Sequence, residues 1–249
     1  MADYPSAKSK PAVRKRGRTA HNERHFNAGD AVRDVIIGMS DGLTVPFALA
    51  AGISGAIAAS HLVVTAGIAE LAAGGISMGL GGYLAARSDV EHYESEQRRE
   101  YEETEEVPEE ERREIETIFA SYGISGAPLA QLVATVTSDR KRWVDFMMRF
   151  ELGLEKPDPR KAPLSAARIG GSYVLGGLIP LLPYMMLPTT QAGLVWSAIV
   201  TFVALILFGV VKGRFTGVSL WTSAVQTSLI GAIAATVAFM LARLVNGSA

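Results

Sequence analysis

Two acidic residues, Asp41 and Glu70, lie within stretches of this chain that are otherwise almost free of charge. A carboxylate at the centre of a bilayer costs at least about 2.5–3.5 kcal/mol, so acids in such places mark an ion or proton path. They are otherwise kept protonated, or tied to Ser40, Thr44 or Ser77 as structural glue. A second acidic group sits further along. Glu100 and Glu103 are three residues apart, as are Glu111 and Glu114, so each pair shares a helix face. The pairs are symmetric about Val107. A helical hairpin folded there puts Glu103 opposite Glu111 and Glu100 opposite Glu114, and four converging carboxylates repel unless cations sit between them. The same run also reads as a solvated acidic face, with Arg98, Arg99, Arg112 and Arg113 pairing locally. Glu151 lies one turn beyond Met147 and three residues after Met148. That places a carboxylate among sulfur neighbours, as a further metal ligand set or as ordinary core methionine.

The elements that position these residues follow from how charge is segregated. The mean hydropathy of +0.22 and the 49% hydrophobic content conceal two kinds of sequence. Blocks at 35–59, 62–86, 166–187, 191–211 and 217–242 are nearly free of charge, whereas 1–33 and 87–165 hold almost all the charged residues. At 1.5 Å per residue each apolar block is long enough to cross a hydrocarbon layer about 30 Å thick. The fold class is therefore all-α, a five-span transmembrane bundle with a helical domain inserted between spans two and three. Four segments follow: a basic arm (1–33), spans one and two (34–86), an acidic metal-binding insert (87–165) and spans three to five (166–246). The basic arm, the insert and the Lys212-Gly213-Arg214 turn fall on one side, and the Ser60-His61 and 188–191 turns, without Lys or Arg, on the other, which places the amino terminus and insert in the cytosol and the carboxy terminus across the membrane. The chain contains no Cys, so disulfides and thiolate ligands are excluded.

The second span continues outward from Ala86 without a Gly or Pro and should stop near Glu106. Pro108 suits the first position of a new helix that Gly123 ends, Pro128 opens another, and a fourth follows Ser138-Asp139 and ends at Gly153. Antiparallel first and second spans put Asp41 about 9 Å deep, Met78 about 12 Å and Glu70 about 24 Å. Asp41 and Met78 can then meet, and a thioether beside a carboxylate suits a first-row transition ion better than Mg²⁺ or Ca²⁺. A lone Met in a span also serves simply to pack. A carboxylate must lose its proton to bind a cation, so metal and proton compete for one site and antiport follows. The pairs Gly38/Gly42, Gly75/Gly79 and Gly209/Gly213 have the spacing of helix-packing notches. Pro46, Pro180 and Pro183 bend their helices. The basic cluster from Lys8 to Arg18 reads as a solvated cytosolic tail able to touch anionic headgroups, and nucleic acid is not a partner. His92 reads as a surface or interfacial residue, and neither His21 nor His25 has a convincing ligand partner.

Residues 40–49 (Ser-Asp-Gly-Leu-Thr-Val-Pro-Phe-Ala-Leu) and 75–87 (Gly-Ile-Ser-Met-Gly-Leu-Gly-Gly-Tyr-Leu-Ala-Ala-Arg) resemble signatures of the vacuolar iron transporter family. So do residues 208–214 (Phe-Gly-Val-Val-Lys-Gly-Arg) and Gln226, and the likeness to the plant-type branch covers nearly the whole chain after Asn27. The resemblance implies a homodimer in the vacuolar membrane that moves Fe²⁺ from cytosol to vacuole in exchange for protons, and the oxygen and thioether ligands leave Mn²⁺ and other first-row ions as secondary substrates. No permanently bound cofactor is implied. Position by position, Asp41, Glu70 and Met78 match the family's translocation residues. Glu100, Glu103, Glu111, Glu114, Glu151, Met147 and Met148 match its cytosolic metal ligands. Two rival functions remain: a membrane-anchored ferritin-like iron oxidase, and a metal-sensing scaffold without transport. The insert lacks the Glu-x-x-His element of di-iron oxidases, which argues against the first.

Overall fold

The computed structural model describes residues 29–56 and 59–247, which are helical apart from short connections. The helices are α1 (Gly29–Ala56), α2 (Ser60–Glu106), α3 (Pro108–Ser121), α4 (Ala127–Thr137), α5 (Arg140–Phe150), α6 (Lys161–Met186), α7 (Thr190–Thr216) and α8 (Leu220–Gly247). Five of them, α1, α2, α6, α7 and α8, are long and apolar enough to cross a membrane. The Lys8–Arg18 cluster, His21 and His25 lie outside the described residues.

Small residues decide how the bundle packs. A Cβ at Gly38 or Gly42 would fall 2.1 Å from the Ile169 carbonyl oxygen or 2.2 Å from that of Tyr173, so α1 and α6 approach backbone to backbone. Gly75 and Gly79 do the same for α2, against Val174 and Ala166 of α6, and Gly209 and Gly213 join α7 to α8. In lipid, where burying apolar surface gains little, such close contact is what holds helices together. The middle span α6 thus lies against both α1 and α2. Pro180 and Pro183 fall inside a helix that continues past them, and the Pro180 carbonyl accepts a hydrogen bond from Ser197 Oγ of α7 at 2.7 Å. At one pole the connections are short, with Ser60 and Thr190 hydroxyls 3.1 Å apart. The insert projects from the other pole.

The turns of the insert fall close to where the sequence places them, with α5 ending at Phe150 shortly before Gly153. The second span and its extension form one 47-residue helix, about 70 Å long and more than twice a bilayer core. It ends at Glu106 because Pro108 takes the first turn of α3. The chain reverses after α3 at Gly123 and enters α4 at Gly126, with φ of +82° and +66°, which glycine adopts without strain. Asp139 caps α5 by accepting from the Arg142 N–H at 2.8 Å. Ile115, Val133, Val136, Trp143 and Met147 form the core of the insert, and Phe119 and Phe146 pack onto it. Arg140 fastens α5 to the tip of α2 through Glu105, the Tyr101 carbonyl and the Thr104 hydroxyl.

Two helices begin earlier than hydropathy suggests: α1 starts at Gly29 and α6 at Lys161, so Asp30, Arg33 and Lys161 belong to helices of the bundle rather than to the arm or the insert. Charged first turns lower the hydropathy of these ends, yet two ion pairs stitch them together: Lys161 to Asp30 at 2.7 Å and Arg168 to Asp34 at 3.8 Å.

Candidate functional site

The acidic group of the insert is built on buried helix faces. On α2 the inward stripe beyond the span runs Val90, Tyr93, Glu100, Thr104, and on α3 it runs Glu111, Ile115. Glu100 and Glu111 therefore occupy positions where an amphipathic helix normally places an apolar side chain. They are only 1% and 4% exposed. Glu151, the C-cap of α5, closes the group from its solvent edge. Carboxylate oxygens of Glu100, Glu111 and Glu151 all lie within 4.8 Å of one another. The Oε2 atoms of Glu100 and Glu111 are buried without a hydrogen-bond partner among the described residues.

The electrostatics follow from this crowding. Burial, then the charges of Glu151 and Glu103, push the Glu100 carboxyl up to about 7. Burial, then Glu100, Glu114 and Glu103, push Glu111 up to about 8. Glu151 is raised by burial, by Glu114 and Glu103, and by a carboxyl hydrogen bond with Glu114. Two or three acids that resist ionising together suit a divalent cation, whose charge replaces the protons.

The structure brings together Glu100, Glu111 and Glu151, with Glu103 and Glu114 close enough to act on them by charge. Glu103 also pairs with Arg99 one turn back on its own helix, 3.5 Å away, while its charge still acts on both Glu100 and Glu111. Met147 and Met148 are fully buried on either side of α5. Met147 packs with Ile115, Val133 and Trp143, and Met148 with Tyr93 and Val144.

Within the spans, Ala66, Glu70, Gly74 and Met78 form an i, i+4 row along α2, all half-buried. Tyr173 of α6 stands against this row and donates its phenol O–H to Glu70 Oε1. Glu70 Oε2 is buried and has no partner. Met78 packs on the cluster that contains Tyr173 and Leu71. Asp41 is exposed on α1, one residue before the Gly42 notch that receives the Tyr173 backbone, and its charge acts on the same phenol. Tyr173 thus contacts Glu70 directly and belongs to the cluster on which Met78 packs. Sequence reading missed it, since one tyrosine in an apolar span resembles any packing aromatic.

Between the two groups lies a cleft of about 550 Å³, lined among others by Asp30, Asp34, Asp89, His92, Lys161 and Arg168. It sits where the insert leaves the bundle. Asp34 is 2% exposed and Arg168 is its ion-pair partner.

Comparison with known proteins gives a consistent result. Residues 32–243 match the model of the VIT family. The chain is 57% identical over 226 residues to Vacuolar iron transporter 2 of Oryza sativa subsp. japonica, covering 91% of this chain and 92% of that one. It is 53% identical over 248 residues to Vacuolar iron transporter 1 of Eucalyptus grandis, covering 99% and 100%. Protein CCC1 of Saccharomyces cerevisiae is 39% identical over 224 residues, covering 86% and 69%.

Proposed function

The chain belongs to the VIT family, and from that premise we propose that it carries Fe²⁺ from the cytosol into the vacuole in exchange for protons. It is a membrane transporter rather than an enzyme, in line with the relatives named vacuolar iron transporters. Mn²⁺ and other first-row divalent ions are secondary substrates in this reading. The observation that carries it is the rod α2 itself. One continuous helix bears Glu100 in a buried carboxylate group at its outer end and Glu70, with an unpartnered oxygen, inside its apolar span.

The insert gathers the ion. Glu100, Glu111 and Glu151, joined by Glu103 and Glu114 and flanked by Met147 and Met148, release protons as the metal binds and raise its concentration at the pole of the bundle. The ion then crosses the cleft beside Asp34 and Asp89 to Asp41, Met78 and Glu70. These take metal or proton, never both at full charge, and so couple the two flows. Basic flanks on the insert-bearing side support a cytosolic insert and amino terminus and a lumenal carboxy terminus.

A homodimer fits the exposure of Asp41. An ionised side chain on an apolar helix face is costly against lipid. A second copy facing it supplies a polar wall and a route for the ion.

Reconstitution into liposomes tests the proposal. Fe²⁺ added outside an inward acidic gradient should be taken up while the lumen loses acid, and Asp41→Ala should stop both. Metal uptake that leaves lumenal pH unchanged, or that survives this substitution, refutes antiport through Asp41.

A further inference from the structure

Of the residues proposed for translocation, Glu70 is held directly by Tyr173, which also belongs to the cluster on which Met78 packs. Its side chain, 3% exposed, reaches from α6 to the α2 row. Its phenol holds Glu70 Oε1. The space it fills is reserved by sequence, because a Cβ at Gly74, between Glu70 and Met78, would lie 2.5 Å from the phenol oxygen. Its backbone is pressed into the Gly42 notch, so the ring has little freedom to withdraw. The other carboxylate oxygen, Oε2, is left buried and without a partner.

We propose that Tyr173 sets which cations Glu70 accepts, by occupying one carboxylate oxygen and leaving the other as a single-point ligand. This rests on the reading that Glu70 lies on the ion path. A carboxylate with one oxygen engaged binds a metal through one atom. That suits first-row ions with few ligands at short, fixed distances. Ca²⁺ takes six to eight oxygens at about 2.3–2.6 Å and is commonly chelated by both oxygens of a glutamate. With the phenol in place, that two-point grip is denied at the deepest acid of the route. Tyr173 is a positioning residue for selectivity, acting through Glu70.

The test is uptake of Fe²⁺ by full-length protein in liposomes, with Ca²⁺ as competitor, for wild type, Tyr173→Phe and Glu70→Gln. Tyr173→Phe keeps the ring and loses the hydroxyl. The expected result is transport that persists in this variant, with Ca²⁺ inhibiting at least about tenfold more effectively than in wild type, a step equal to one tenfold change in relative affinity. A merely structural phenol would lower the maximal rate and leave the Ca²⁺ competition unmoved, and that result overturns the proposal. Gly74→Ala tests the same contact from the other side, since it displaces the phenol with Tyr173 intact, and it should also raise Ca²⁺ sensitivity. If neither variant does so while Glu70→Gln abolishes uptake, the selectivity role of Tyr173 falls and the ion path stands. Should Glu70→Gln transport as wild type does, the path through Glu70 falls as well.

Discussion

Glu100 and Glu111, carried by helices that part at Val107, meet with carboxylate oxygens inside the 4.8 Å span they share with Glu151. Neither side chain is free to relax outward, because each sits on the buried stripe of its helix. Their pKa values, raised to about 7 and about 8, therefore express a conflict built into the folded insert. A group whose pKa is higher folded than unfolded favours folding fully below its unfolded value, near 4.5. That advantage is lost as pH rises through 7 and 8. The metal-free insert should thus become less stable between pH 5 and 9, and a divalent ion should reverse the trend. With Trp196 and Trp221 replaced by Phe, Trp143 fluorescence reports unfolding of the insert alone. Metal at about a hundred times its Kd should add about 3 kcal/mol at pH 8 and much less at pH 5. A stability that rises with pH in the absence of metal would contradict the arrangement.

Removing one member of the group separates repulsion from binding. Glu111→Gln should weaken metal binding at least about tenfold. The same change relieves repulsion on Glu100, so the metal-free insert should be no less stable at pH 8 than wild type. Calorimetric titration and thermal unfolding check the two halves independently. Glu103→Gln should cost less affinity than Glu111→Gln, since Glu103 is turned toward Arg99.

The ion pair between α1 and α6 has an asymmetry that mutation exposes. Asp34 has a side chain 3% exposed, whereas that of Arg168 is 38% exposed. Arg168→Ala strands a buried carboxylate and should destabilise the bundle by about 2 kcal/mol. Asp34→Asn leaves a guanidinium that water can still reach, and should cost less than half as much. Thermal unfolding in detergent distinguishes them. Equal losses would mean that burial of Asp34 is not what makes the pair matter.

How far the sequence carries is visible in particular residues. Pro108, Gly123 and Gly153 mark their turns because proline and glycine act through their own backbone, without help from distant contacts. The glycine notches are equally local signals. The membership of the carboxylate group is not, since Glu151 joins Glu100 and Glu111 from a helix far along the chain. Asp34 hides because a window of mean hydropathy draws the membrane boundary at Val35. Tyr173 hides because its meaning lies in a partner 103 positions away.

The last consequence concerns the division of labour along α2. If the insert gathers metal and the spans carry it, the two sets of carboxylates must affect different kinetic constants. Loss of insert carboxylates removes a binding step that precedes transport, so Glu100→Gln with Glu111→Gln should raise the KM for Fe²⁺ about tenfold or more, leaving the maximal rate within about twofold. Asp41→Ala or Glu70→Gln should instead lower the maximal rate at least about a hundredfold, while metal binding by the insert, measured by titration of the same purified protein, stays as in wild type. The reason is distance. Glu70 and Glu100 are 30 residues apart on one unbroken helix, about 45 Å, too far for direct electrostatic influence across solvent at physiological salt. A double substitution in the insert that abolishes transport even at saturating metal would mean that the ion must be handed over from the insert at every cycle, and that no free ion reaches Asp41 through the cleft.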